Sequence, residues 1–151
     1  MIYLLDTNTC IRYINRRSLP IFRRLSALAT EDVRLCDVVK FELYYGAYRS
    51  SRQQSNLQIL REFFSQFISL PFDGTTAEIC GQIRAQLAGL GTPIGGYDLQ
   101  IAAIALANNL ILVTHNVDES LSALLSMYGR GRPYHNIPQE YSMALDLKTT
   151  V

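Results

Sequence analysis

The chain has no tryptophan, two histidines, three cysteines and almost no net charge, +1 over 151 residues. Each scarcity narrows the function. His115 and His135 have no cysteine or histidine partner at zinc-site spacing, so a zinc centre is excluded. Cys10, Cys36 and Cys80 are odd in number and far apart. They read as reduced core thiols of a cytoplasmic protein, not as a disulfide framework. The longest apolar stretch, IAAIALANNLILV, is interrupted by Asn108-Asn109 and is too short to span a bilayer, so no membrane partner is expected. The apolar start meets Asp6 at once and does not read as a signal peptide. Repeats and low-complexity tracts are also missing. The length suits one domain with a sizeable core, and 48% hydrophobic with 18% charged residues is the balance of an ordinary globular chain.

What is present is unevenly placed. Residues 1–61 carry ten Lys/Arg against five Asp/Glu, and the remainder carries four against eight. Twelve of the fourteen basic residues are Arg, the side chain that forks onto phosphate or carboxylate. This is either a solvated helical face or a contact surface for phosphate or an acidic partner.

Strands and helices alternate. The short apolar run 2–6 reads as a buried strand. Residues 8–16 and 20–29 read as helices, with Pro20 in the first turn of the second. VRLCDVV, 33–39, reads as a second strand, followed by a helix from about Val38 and another over 53–67. A third strand is expected over 67–72. A helix over 75–90 has Thr75 or Thr76 as its expected N-cap. Gly91, Pro93, Gly95 and Gly96 break it. An Ala-rich helix over 97–108 and a fourth strand over 110–114 complete the pattern. The expected fold is α/β, with a parallel sheet covered on both faces.

Such sheets keep their chemistry at the carboxyl ends of the strands. Asp6 ends the first strand, Glu42 lies near the start of the helix after the second, and Asp98 opens the Ala-rich helix. Three acids from distant parts of the chain can meet on that one edge. Each has a structural alternative: Asp98 as an N-cap, Glu42 as a partner of the helix dipole, Asp6 as an isolated buried carboxylate. Packed carboxylates repel unless a cation neutralises them. With no His or Cys beside them the ligands are hard oxygens, which suits Mg²⁺ or Mn²⁺. The chemistry this supports is metal-assisted phosphodiester hydrolysis, with the Arg-rich part on the phosphates. A haloacid-dehalogenase-type phosphatase also uses an Asp after its first strand. It needs a second Asp two residues on, where this chain has Asn8.

LLDTNTCIRYIN, VVKFELYYGA and GTPIGGYDLQIAAIALANNLILVTHN, in this order and spacing, resemble the PIN-domain family, and within it the toxin ribonucleases of bacterial type II toxin–antitoxin pairs. The resemblance implies a three-layer α/β/α fold with four to five parallel strands, its core over 1–116, and 117–151 as a divergent C-terminal segment on the same domain or trailing from it. It places the family's acids on Asp6, Glu42 and Asp98, which would hold Mg²⁺ or Mn²⁺ and position the attacking water. Thr7 and Asn8 would shape the strand end and hydrogen-bond the carboxylates, and Thr114 would supply a central hydroxyl. The fourth acidic position falls on Asn116, with Asp118 two residues on. The implied partners are an RNA substrate, a cognate antitoxin that blocks the acidic cleft, and a second copy in a homodimer. Two readings follow: a metal-dependent endoribonuclease toxin, or a catalytically impaired PIN domain that binds RNA or antitoxin without cleavage.

Beyond Asn116 the pattern weakens. Leu121, Leu124, Leu125 and Tyr128 are spaced for an amphipathic helix, and GRGRPYHNIP reads as loop. Tyr44, Tyr45 and Tyr48 read either as packing residues or as platforms for an unpaired base. Arg84 is a further phosphate contact if its helix faces the cleft.

Overall fold

The computed structural model describes residues 1–16, 19–91 and 94–114. In chain order these form β1 (Tyr3–Leu5), α1 (Thr7–Ile14), α2 (Leu19–Ser26), a 3₁₀ turn (Thr30–Asp32), β2 (Val33–Cys36), α3 (Asp37–Arg49), α4 (Gln53–Phe64), β3 (Ile68–Leu70), α5 (Gly74–Gly89), α6 (Gly96–Ala107) and β4 (Ile111–Val113). The four strands form one parallel sheet in the order β3-β2-β1-β4. Leu4 of β1 pairs with Arg34 on one side and Leu112 on the other, and Arg34 in turn pairs with Ile68. The sequence order therefore reverses around β1, and its carboxyl end opens the crevice typical of doubly wound sheets.

The core has two clusters, as a sheet covered on both faces requires. The larger joins Leu4, Leu5, Leu35, Val39, Leu43, Phe63 and Phe64 with Ile101 and Ile104 of α6. The smaller joins Ile83 and Leu87 of α5 to Leu99, Ala102, Ala103 and Leu106. Helix α6 serves both, which is why its GYDLQIAAIALA is apolar nearly all round and buries seven residues. None of the described helices is long and apolar enough to cross a membrane.

Three local details differ from the sequence reading. VRLCDVV is not one strand: it leaves the sheet after Cys36, and α3 begins at Asp37. Asp37 accepts a hydrogen bond from the Ser69 hydroxyl at 2.6 Å, which ties that turn to β3. The N-cap of α5 is Asp73, not a threonine. Its carboxylate accepts the Thr76 N–H at 2.9 Å and the Thr76 hydroxyl at 2.8 Å. An ionised cap oxygen at the positive end of a helix explains why the Asp73 carboxyl lies below its ordinary pKa. The strands are also shorter than the apolar runs that announce them. The Asn108-Asn109 break ends α6: Asn109 takes φ 55°, which Asn tolerates, and the Leu110 N–H returns to the Ala105 carbonyl at 2.9 Å.

Candidate active site

Parallel strands deliver their following residues to one edge, and Asp6, Asp37 and Thr114 all emerge there. Asp6 is fixed by three bonds to the chain. Its N–H donates to the Val113 carbonyl at 3.0 Å, extending the β1–β4 ladder by one residue. Its own carbonyl accepts the Cys10 N–H at 3.1 Å. Its Oδ1 accepts the Thr9 N–H at 2.7 Å, so the carboxylate is the N-cap of α1. Asp6 therefore has a structural duty that the apolar-run pattern did not reveal. The signal was available: an Asp directly before a helical stretch is a strong N-cap.

That duty uses one oxygen. Asp6 is only 5% exposed, yet its Oδ2 accepts no hydrogen bond from any described residue. A buried carboxylate oxygen without a donor is costly unless something else faces it. Behind it, Cys10 is wholly buried. Burial first, then the nearby Asp6 charge, pushes its thiol far up in pKa, so it is a neutral packing group. Cys36 is likewise pushed up to about 11 by burial.

Thr7 joins the first acid to the second. Its hydroxyl donates to Glu42 Oε2. Glu42 stands in the second turn of α3, as its sixth residue counting from Asp37, and so is not the first-turn dipole partner that the sequence allowed. It is half-buried, between the buried Val39 and Leu43 in the chain. A half-buried glutamate oriented by a threonine 35 positions away is held by tertiary structure, not by helix chemistry.

Asp98 is the third residue of α6, and the N-cap is Gly95. The N-cap alternative for Asp98 therefore fails, although the carboxylate does sit in the favourable first turn. A Cβ on Gly95 would stand 3.4 Å from Asp98 Oδ2. That is ordinary van der Waals contact, so Gly95 and the Asp98 carboxylate are close neighbours at the start of α6. Next to the two acids in sequence, the rings of Phe41 and Tyr97 meet edge-on at 5.4 Å, which brings the early turns of α3 and α6 together.

Thr114 is 5% exposed and follows Val113, whose carbonyl takes both the Asp6 N–H and, at 3.2 Å, the Thr9 hydroxyl. Thr9 is the site-shaping residue that sequence reasoning missed. It holds Asp6 through its backbone and β4 through its side chain. Asn8 is exposed and makes no hydrogen bond to a described carboxylate. Asn116 and Asp118 lie outside the described residues. Tyr44 packs edge-on against Phe64 at 5.2 Å, whereas Tyr45 and Tyr48 are exposed, so the three tyrosines divide between the two readings. Arg84 is exposed on α5.

Among the described residues, no three His, Cys, Asp or Glu side chains stand close enough to hold an ion as placed. Asp6 and Glu42 are linked through Thr7, and Asp98 stands at the start of α6, which packs against α3. The donor set nonetheless fits a hard divalent cation in kind. It is all oxygen, and one buried oxygen accepts no hydrogen bond from a described residue.

Comparison with known proteins assigns the domain. The PIN domain model matches residues 3–124. This chain belongs to the PIN-domain family. The tRNA(fMet)-specific endonuclease VapC of Salmonella typhimurium is 39% identical over 117 residues, 78% of this chain and 88% of that protein. Ribonuclease VapC2 of Rickettsia felis is 35% identical over 120 residues, 79% and 90% of the two chains. Among solved structures, DNA-bound VapBC from Salmonella typhimurium matches this PIN domain with a TM-score of 0.74 at 39% identity, covering 79% of this chain and 89% of that one. VapBC2 from Rickettsia felis, bound to a promoter DNA fragment, matches with a TM-score of 0.73 at 34% identity, covering 79% and 90%. The acids placed at the sheet edge by topology thus lie inside a domain shared with named ribonucleases.

Proposed function

We propose that this PIN domain is a metal-dependent endoribonuclease toxin of the VapC type. It acts in the cytoplasm as a homodimer and is restrained by a cognate antitoxin. The observation that carries the reading is Asp6: a buried carboxylate with one oxygen capping α1 and the other accepting no hydrogen bond from a described residue, and followed in the chain by Thr7, whose hydroxyl holds Glu42. The VapC relatives supply the direction, towards RNA, and the name of the Salmonella relative makes initiator tRNA the first substrate to test.

Asp6, Glu42 and Asp98 are the residues that would hold Mg²⁺ or Mn²⁺. Such an ion, when bound, lowers the pKa of water and stabilises charge on the phosphoryl oxygens. The chain's own contribution is positional. Thr9 fixes Asp6 from below, and the Thr7 hydroxyl selects one orientation of Glu42. Rigid placement on strand and helix ends, not on long loops, suits a reaction whose barrier falls mainly through positioning and electrostatics. The impaired-domain reading draws on one observation, that the three acids are not gathered as placed.

The test is cleavage of initiator tRNA and of an unstructured RNA by purified, antitoxin-free protein, wild type and Asp6→Asn, with Mg²⁺, Mn²⁺ or EDTA. Cleavage that requires metal and vanishes in Asp6→Asn is expected. A folded wild type that binds RNA but cuts nothing under any condition would establish the impaired domain instead.

A further inference from the structure

The segment that follows Asp6 is unusually one-sided. Residues 7–30 contain five arginines, Arg12, Arg16, Arg17, Arg23 and Arg24, and no acid. The next carboxylate in the chain is Glu31. Arg24 has a partner within the protein, which leaves Arg12, Arg16 and Arg23 among the described residues as like charges whose mutual repulsion a bound polyanion relieves.

The structure shows how three of these cations are held. Helices α1 and α2 form a packed pair, with the Tyr13 and Phe22 rings stacked at 5.4 Å. Arg16, in a left-handed conformation at φ 50°, lies over the other partner of that stack, its guanidinium 5.3 Å from the Phe22 centroid. A guanidinium resting on a ring keeps its N–H edge for another ligand. Arg12, in the last turn of α1, and the exposed Arg23 form no hydrogen bond or ion pair with any described residue. Arg12 shares a helix face with the exposed Asn8, four positions earlier and two from Asp6. Six residues separate Asp6 from Arg12, which at about 1.5 Å per residue is roughly 9 Å along α1. That reach is on the order of one to two phosphate spacings along a single nucleic-acid strand.

We infer that the α1–α2 hairpin is the backbone track of the substrate: Arg12, Arg16 and Arg23 hold RNA phosphates on one side of the scissile bond. RNA fits better than an acidic peptide because the charge run begins at the catalytic edge. The chain whose phosphate reaches Asp6 brings further phosphates past α1 at regular spacing, which a peptide's carboxylates do not. The inference rests on the ribonuclease reading for its substrate, but its test does not depend on turnover.

The experiment measures RNA affinity by fluorescence anisotropy across salt concentrations, in an Asp6→Asn background so that the RNA stays intact. Arg12→Gln/Arg16→Gln/Arg23→Gln is compared with the same triple change to Lys. Each lost phosphate contact lowers the slope of log affinity against log salt by about 0.7 to 0.9, so the Gln triple loses roughly 2 from that slope while the Lys triple keeps it. In the catalytically intact background the Gln triple raises KM about tenfold or more near 0.15 M salt, with kcat at saturating RNA unchanged. An unchanged slope and KM in a folded Gln triple would sink the track, even with cleavage intact. So would loss of antitoxin binding alone, which would make the hairpin a protein-docking face. A wild type that never cuts, yet loses its salt slope in the Gln triple, would keep the track and remove the nuclease reading.

Discussion

The observed cap role of Asp6 and the ion-holding role proposed for it fall to different oxygens, and substitution can separate them. The cap task belongs to Oδ1, which accepts the Thr9 N–H at 2.7 Å in a buried setting. Asp6→Ala removes that acceptor and is expected to cost about 1–2 kcal/mol, or roughly 2–8 °C of Tm for a chain of this size. Asn and Ser both cap helices about as well as Asp, so Asp6→Asn and Asp6→Ser should melt within about 1–2 °C of wild type in EDTA. The ion task needs the charge. Saturating Mg²⁺ at about 100 times its Kd stabilises the folded state by about 2.7 kcal/mol, an upward shift of several degrees for wild type. All three variants should lack that shift. Cleavage should fall by about 10²-fold or more in all three, since the ion's charge stabilisation is worth several kcal/mol. Thermal melts with and without Mg²⁺, run beside a cleavage assay, read both tasks on the same samples. The reasoning fails if Asp6→Ala melts like wild type in EDTA, or if Asp6→Asn keeps the Mg²⁺ shift.

Thr7→Val removes the hydroxyl that orients Glu42; metal affinity should drop about 10- to 100-fold, with cleavage restored by raised Mn²⁺, and unaltered metal dependence would show that the contact is passive. The Asp73 carboxyl is held low by the Thr76 N–H and hydroxyl. Its stabilisation is complete above the ordinary carboxylate range and fades as pH falls through its depressed value, so Asp73→Asn should flatten the acid side of a Tm-against-pH curve and leave the neutral side's slope unchanged.

The positions of strands and helices were legible because a parallel sheet buries short apolar runs and spaces them with amphipathic stretches. The register between sheet and helix was not. Val38 and Val39 look like a continuation of β2, yet their apolar side chains serve α3, where both are buried. Hydrophobicity records burial and does not say whether a strand or a helix achieves it. Two apolar positions in a row fit either element. The α5 cap was missed for a related reason: Asp73 and the threonines after it are all good caps, and only the fold decides which carboxylate turns inward. That Asp6 follows a strand end and Asp98 lies in a helix's first turn was legible, because both belong to the alternation of strands and helices. Their wiring was not. The Thr7–Glu42 bond and the Thr9 bridge to Val113 cross 35 and 104 positions of sequence, and no local pattern records such distances.

The place of β1 in the sheet has a consequence for how the protein is made. Tyr3–Leu5 is synthesised before both of its sheet neighbours, Val33–Cys36 and Ile111–Val113. Leu4 waits for Leu112, 112 − 4 = 108 positions later. At about 5–20 residues per second that wait is roughly 5–22 s, during which the first strand has an open edge. Pairings this distant in sequence are also slow to form after release. The Asp6 N–H has no Val113 carbonyl until then. Until β4 pairs with β1, the strand that carries Asp6 has neither its Leu112 neighbour nor the carbonyl that holds its end.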